Sequence, residues 1–170
     1  FDRVLIDAPC TGTGTLRRNP DLRWRLSEDE LHRINEIQKS VLESASRLVK
    51  AGGRLVYATC SVLKEENQAV VEAFLAAHPE FHLLNASEVL EGQGVKVPAE
   101  VKDRFGPWFV MLPQVTGTDG FFGAVLERDP DAPRRRKPAP EAEAPSEETE
   151  SVKAEVTETA APVSEEQKAE

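Results

Sequence analysis

Short continuous apolar runs alternate along the chain with longer stretches in which apolar side chains return every three or four positions. Val4 to Ile6 is the first such run and reads as a strand covered on both faces. Ser27 and Glu30 then stand at capping-box spacing. Leu31, Ile34, Ile37, Val41, Leu42, Ala45, Leu48 and Val49 follow as a helical stripe that Gly52 and Gly53 stop. Arg54 to Cys60 predicts a second strand, and Val70, Val71, Phe74 and Leu75 mark the inner face of a second helix from about Lys64 to His78, closed by Pro79. Further strands are predicted around Phe81 to Leu84, Trp108 to Leu112 and Phe121 to Leu126, with Asp119-Gly120 turning into the last.

Strand, helix, strand, helix, then strands is an α/β order, with a mainly parallel sheet that ends in an antiparallel pair. The pattern ends near residue 128. From Asp129 the chain is largely Pro, Ala, Glu, Ser and Thr without an aromatic residue. Too little apolar surface is available there to offset an ordering cost of about 1 to 2 kcal/mol per residue. The expectation is a domain over 1–128 and an acidic, disordered low-complexity tail over 129–170, in which Arg134, Arg135, Arg136 and Lys137 form a basic run that is either simply solvated, the commoner case, or in touch with phosphates.

Charge changes the picture only through its distribution. The net charge is −9, and the tail, with twelve acidic and six basic residues, carries six of those nine charges. The body is therefore nearly balanced, and a polyanionic partner is not excluded. No run reaches the roughly 18 apolar residues of a membrane span, and no secretion signal precedes the first strand, so a cytoplasmic protein is expected. The start at Phe1, already inside a strand, suggests a piece of a longer protein.

Candidate chemistry gathers where strands end, because ligand sites of parallel α/β sheets lie at the carboxyl ends. Asp7, Pro9 and Cys10 follow the first strand, and Cys60 ends the second. Strands joined by a right-handed crossover are often neighbours, about 4.8 Å apart, which would turn both thiols to one cleft. Either cysteine taken singly also fits inert packing. Two cysteines are too few for a disulfide scaffold or a four-thiolate zinc site, and His32, His78 and His82 lack ligand spacing with them. Gly12 and Gly14 read as a turn, since no helix follows directly as a phosphate cradle requires. Arg17, Arg18, Arg23 and Arg25 crowd around Trp24, which suits phosphate contacts and base stacking. The alternative pairs those arginines with Asp21, Glu28 or Asp29 and packs Trp24 beneath the loop.

DAPCTGTG at 7–14, RRNPDLRWR at 17–25, YATCS at 57–61 and TDGFFGA at 118–124 together resemble, in order and spacing, the RNA cytosine-C5 methyltransferases, most closely the bacterial 16S ribosomal RNA enzymes of the RsmB (Sun) family. The likeness covers residues 1 to about 128. It implies a Rossmann-like class I methyltransferase fold using S-adenosylmethionine, and a monomer acting on RNA. It also implies roles: Cys60 as nucleophile, Cys10 in product release, Asp7 between cofactor and base, Pro9 beside the cofactor, and Arg17, Arg18, Arg23, Trp24 and Arg25 on the RNA. The family's glycine-rich cofactor loop and ribose-binding acid precede its DAPC motif and are not in this sequence, so the fragment is expected to lack most of the cofactor site and to be inactive alone. Where relatives often carry a histidine before TDGFF, this chain has LPQVTG.

The chemistry needs these groups. Carbon 5 of cytosine is a weak nucleophile until a thiolate adds at carbon 6, and a proton must leave carbon 5 before that thiol is expelled. A free thiol of pKa about 8.5 is only a few per cent ionised at neutral pH, so the site is expected to lower that of Cys60. The target base must also leave its stack, which gives the arginine loop a purpose. Competing readings are a non-catalytic RNA-binding or assembly protein, a tRNA-modifying enzyme, a DNA cytosine-C5 methyltransferase using Cys10 of its Pro-Cys pair, and a redox pair.

Overall fold

A computed structural model describes residues 1–102 and 104–133; the basic run at 134–137 and most of the acidic tail lie outside the described residues. Five strands, β1 (Arg3–Asp7), β2 (Arg54–Thr59), β3 (Phe81–Leu84), β4 (Phe109–Met111) and β5 (Phe121–Arg128), form one sheet in the order β1-β2-β5-β3, with β4 beside β5. Only β1 and β2 pair in parallel, and β5 is antiparallel to β2, β3 and β4. Four strands thus run one way, as the alternation implies. The reversed β5 is inserted between β2 and β3 instead of closing an edge. Its apolar run explains the placement, because Phe122, Ala124, Val125 and Leu126 are all buried and a central strand covers both faces.

The helices follow the predicted pattern with informative differences. Helix α1 (Leu22–Arg25) is a single turn within the arginine segment. Helix α2 (Glu28–Ser46) starts where Ser27 accepts a hydrogen bond from the Glu30 amide at 3.2 Å, although the Glu30 side chain pairs with Arg33 and does not reach back. Its buried face is Ile34, Gln38, Leu42 and Ser46, a four-residue period with a glutamine in the middle. The expected helix from Lys64 is broken. Residues Lys64–Glu66 form a 3₁₀ turn, Asn67 leaves helical geometry, and α3 runs Gln68–Ala77. The break lets Asn67 bind elsewhere: its Oδ1 accepts from Thr59 Oγ1 at 2.6 Å and its Nδ2 donates to the Ser61 carbonyl at 2.9 Å. Two short helices, α4 (Ala86–Gly92), capped by Asn85 Oδ1, and α5 (Pro113–Thr116), complete the list.

The core lies between the sheet and the α2–α3 layer, where Leu42, Leu55, Tyr57, Val71, Phe122 and Leu126 are fully buried. Each such large side chain contributes roughly 1.5 to 3 kcal/mol. β1 departs from the expected strand covered on both faces, because Ile6 is buried whereas Leu5 is 71% exposed. Its outward face joins Val56, Ala58, Phe109 and Phe121 around an apolar hollow of about 310 Å³. Among the described residues no helix is long and apolar enough to cross a membrane. Residues 129–133 still hold to the body, through the Asp129 amide on the Glu80 carbonyl and Arg128 on the Pro133 carbonyl.

At the carboxyl ends of β1 and β2 three backbones meet. The Gly14 amide donates to the Cys60 carbonyl at 2.9 Å, and the Gly120 amide donates to the Gly14 carbonyl at 2.8 Å. A methyl group on Gly14 would lie 2.3 Å from the Gly120 oxygen and 2.6 Å from the Cys60 oxygen, and one on Gly120 would lie 2.8 Å from the Gly14 Cα. Neither backbone can yield without breaking the junction. Gly14→Ala and Gly120→Ala are each expected to destabilise the protein by about 3 kcal/mol in urea unfolding, at the upper end of overpacking effects. Gly94→Ala, where nothing lies within 4 Å but φ is positive, should cost about 1 kcal/mol.

Candidate active site

Parallel pairing of β1 with β2 sets Asp7 opposite Ala58, and the Ala8 amide extends the ladder to the Ala58 carbonyl at 2.9 Å. The chain leaves the two strands through adjacent turns, one holding Pro9 to Gly12 and the other Cys60 and Ser61. Gly12 supplies the left-handed bend at φ 73°. The result is a sulfur–sulfur distance of 3.3 Å between Cys10 and Cys60, both free thiols and both half-buried. Burial, then the hydrogen bond with Cys60, pushes the Cys10 thiol up to about 12 from an ordinary value of 9.0. Cys10 therefore holds its proton at neutral pH. Asp7 and Pro9 are exposed at the strand end, and among the described residues no cation or donor pairs with the Asp7 carboxylate.

Beneath the thiols lies a residue that the sequence reading missed. Glu66 is fully buried, and among the described residues it is the one buried carboxylate. Its Oε1 accepts from the Thr11 amide at 2.7 Å and from Gln38 Nε2 at 3.2 Å, and its Oε2 accepts from Thr11 Oγ1 at 2.5 Å and from Ser61 Oγ. Gln38 also donates to the Pro9 carbonyl at 2.9 Å, so the polar residue on the buried face of α2 serves this site. The Tyr57 hydroxyl donates to the Glu66 carbonyl at 2.7 Å, and burial, then Glu66 and Cys10, holds that phenol above its usual range. Thr13 Oγ1 lies 2.9 Å from Ser61 Oγ and accepts from the Val62 amide. The one available signal was the pair Glu65-Glu66 placed five residues after Cys60, which does not say which of the two turns inward.

The arginine segment divides in two. Arg17 and Arg18 reach Asp119, with Arg17 also donating to the Gly117 carbonyl, so they tie the loop to the TDGFF turn. Asp119, and not Asp21, Glu28 or Asp29 of the alternative reading, is their partner. Arg23, Trp24 and Arg25 instead sit on α1, which buries nothing. Trp24 is 76% exposed with the Arg23 guanidinium 4.4 Å from its ring centre, so it does not pack beneath the loop. Between α1 and Cys10 opens a cleft of about 390 Å³, lined by Cys10, Thr11, Leu22, Arg25, Ser27 and Ile34.

The raised Cys10 value carries a sign. The neutral thiol is the form the fold favours, so its stabilising contribution is complete below about pH 9 and is lost as the pH rises toward 12. Mapping of iodoacetamide labelling by mass spectrometry should find Cys10 alkylation still accelerating beyond pH 10. A plateau by about pH 10, as for an unperturbed thiol, would contradict this burial.

Similarity to known proteins agrees with the geometry. Ribosomal RNA small subunit methyltransferase B of Sodalis glossinidius (strain morsitans) is 39% identical over 132 residues, 78% of this chain and 27% of that protein. The probable enzyme of the same name from Bacillus subtilis (strain 168) is 42% identical over 124 residues, 72% of this chain and 26% of that protein. Among solved structures, a methyltransferase homolog protein from Pyrococcus horikoshii superposes with a TM-score of 0.55 at 30% identity, over 75% of this chain and 39% of that one. NSun6 from Pyrococcus horikoshii with SFG gives 0.58 at 25% identity, over 73% and 29%. The chain thus spans about a quarter of the length of the curated relatives it matches. A family described as 16S rRNA methyltransferase RsmB/F matches along residues 1–127, which takes in β1 through β5 and both cysteine turns, and the chain belongs to that family.

Proposed function

We propose that the protein containing this chain methylates carbon 5 of a cytosine in ribosomal RNA, with S-adenosylmethionine as methyl donor and Cys60 as the covalent nucleophile. The observation that carries the reading is the 3.3 Å contact of two free, half-buried thiols at the ends of adjacent parallel strands. Relatives named for ribosomal RNA methylation support the substrate class. The neighbour solved with SFG, an S-adenosylmethionine analogue, supports the cofactor.

The exposed, unpaired Asp7 carboxylate fits a cationic sulfonium donor, and Pro9 beside it offers an apolar edge. Bound there, the cofactor would supply an electrophilic methyl group, its sulfonium–methyl bond breaking so that a neutral thioether leaves. The chain's own residues do the rest. Cys60 as thiolate bonds to carbon 6 of cytosine, and the electron pair of the 5,6 double bond becomes available at carbon 5 for the new carbon–carbon bond. The carbon 5 proton then passes to a water held beside the Cys10 thiol, and the released pair re-forms the double bond and expels Cys60 as thiolate. Burial and the hydrogen bond with Cys60 make Cys10 a poor thiolate nucleophile, and the resemblance of the YATCS motif gives that role to Cys60.

Arg23, Trp24 and Arg25 suit the RNA flanking the target, because stacking on an exposed indole is sequence-tolerant and neighbouring guanidinium groups meet phosphates. Arg17 and Arg18, with Asp119 already as partner, contribute less to binding.

Fluorine at carbon 5 cannot leave as a proton does, so a 5-fluorocytosine RNA traps the adduct. The full-length protein is expected to form that adduct, to keep it in Cys10→Ala and to lose it in Cys60→Ala; the reverse pattern would assign the nucleophile to Cys10 and overturn the proposal. Trp24→Ala and Arg25→Ala are each expected to raise the KM for RNA about 10-fold with little change in kcat, in line with roughly 1 to 3 kcal/mol per stacked base. Arg18→Ala should alter KM less than about 3-fold, and an effect as large as that of Trp24→Ala would contradict this division of labour.

A further inference from the structure

We propose that Glu66 is the positioning residue that holds Cys10 and Cys60 face to face, acting through Thr11 on one turn and Ser61 on the other. Each of those partners is the immediate neighbour of a cysteine, so the carboxylate acts one residue away from both sulfurs. The carboxylate is itself fixed from below, because Tyr57 holds its backbone carbonyl and Gln38 ties it to α2 and to the Pro9 carbonyl. Thr13 closes the ring between the turns through Ser61 Oγ and the Val62 amide.

A packing role alone does not account for this residue. Burying a carboxylate without a cation is costly, and an apolar residue of similar volume fills such a space at no desolvation penalty. What a carboxylate supplies is two oxygens that accept from several donors at once, in fixed directions. Here those donors come from α2 and from both cysteine turns.

The catalytic consequence rests on the methyltransferase reading, whereas the thiol geometry is testable without it. Diamide closes a disulfide between neighbouring thiols: two S–H bonds break, one S–S bond forms, and the two electrons and two protons pass to the azo group to give a hydrazine. The rate of that closure between Cys10 and Cys60 reports their spacing. The experiment compares full-length wild type, Glu66→Ala, Glu66→Gln and the double variant Thr11→Val with Ser61→Ala, which keeps the carboxylate and removes its two hydroxyl partners.

Glu66→Ala and the double variant are expected to close the disulfide at least about 10-fold more slowly. They should also lose about 10- to 100-fold in kcat and in adduct formation while the KM for RNA stays within about 3-fold, the pattern of a misplaced catalytic group. Glu66→Gln should recover most of both rates, because its amide oxygen still accepts from the Thr11 amide and its amino group can donate to the hydroxyls. If Glu66→Ala does not fold, the double variant decides. Disulfide closure and turnover at wild-type rates in either, even with a lowered Tm, would overturn the proposal and leave Glu66 a stability residue. If the wild type itself forms no adduct and transfers no methyl group, the functional reading fails and the diamide rates still decide the role of Glu66.

Discussion

Two turns that leave neighbouring strands share a site only if they cannot splay apart, and in this protein a backbone crossing prevents it. The Gly14 amide on the Cys60 carbonyl and the Gly120 amide on the Gly14 carbonyl bring three distant segments to near-contact. Glycine is required there for space more than for conformation, since a methyl group would meet carbonyl oxygens. The parallel register of β1 and β2 aims the turns, the crossing locks them, and Glu66 sets hydrogen bonds beneath both cysteines. Together these give a sulfur separation of 3.3 Å between residues fifty positions apart.

That construction has chemical consequences for the proposed reaction. Both sulfurs are half-buried and close enough to meet one small ring. Burial and the hydrogen bond with Cys60 hold Cys10 protonated, which suits the proposed function in which Cys10 is not the attacking sulfur. The cleft between Cys10 and the α1 residues Leu22 and Arg25 is where, in the proposed function, an extruded base would arrive. The other arginines brace the TDGFF turn through Asp119, and that turn carries Gly120 into the crossing. In the proposed function, RNA contact and thiol alignment thus fall to different members of one basic cluster.

Much of this was legible in the sequence because local physics dominates it. Ser27 and the stripe from Leu31 mark one helix, which ends at Ser46, ahead of the expected stop at Gly52, and the continuous apolar runs mark β1, β2 and β5. The strand ends then placed both thiols together correctly. What stayed hidden depends on partners far along the chain. The insertion of β5 between β2 and β3 has no local signature. The break at Asn67 is made by side-chain bonds to Thr59 and Ser61, which override a sound helical pattern. Leu5 reads as core but faces outward on an edge strand, and Asp119, a hundred residues on, claims Arg17 and Arg18 in place of nearer acids. Glu66 and Gln38 look like solvent-facing residues until the fold turns them inward to meet one another.

The central claim is that both sulfurs address a single cytosine from adjoining turns. A crystal structure of the full-length protein trapped on a 5-fluorocytosine RNA tests it most directly. The account predicts a bond from Cys60 Sγ to carbon 6 of the extruded base with the Cys10 sulfur in van der Waals contact with the same ring. A base bonded to Cys10, or a ring seated out of reach of the Cys10 sulfur, would contradict it.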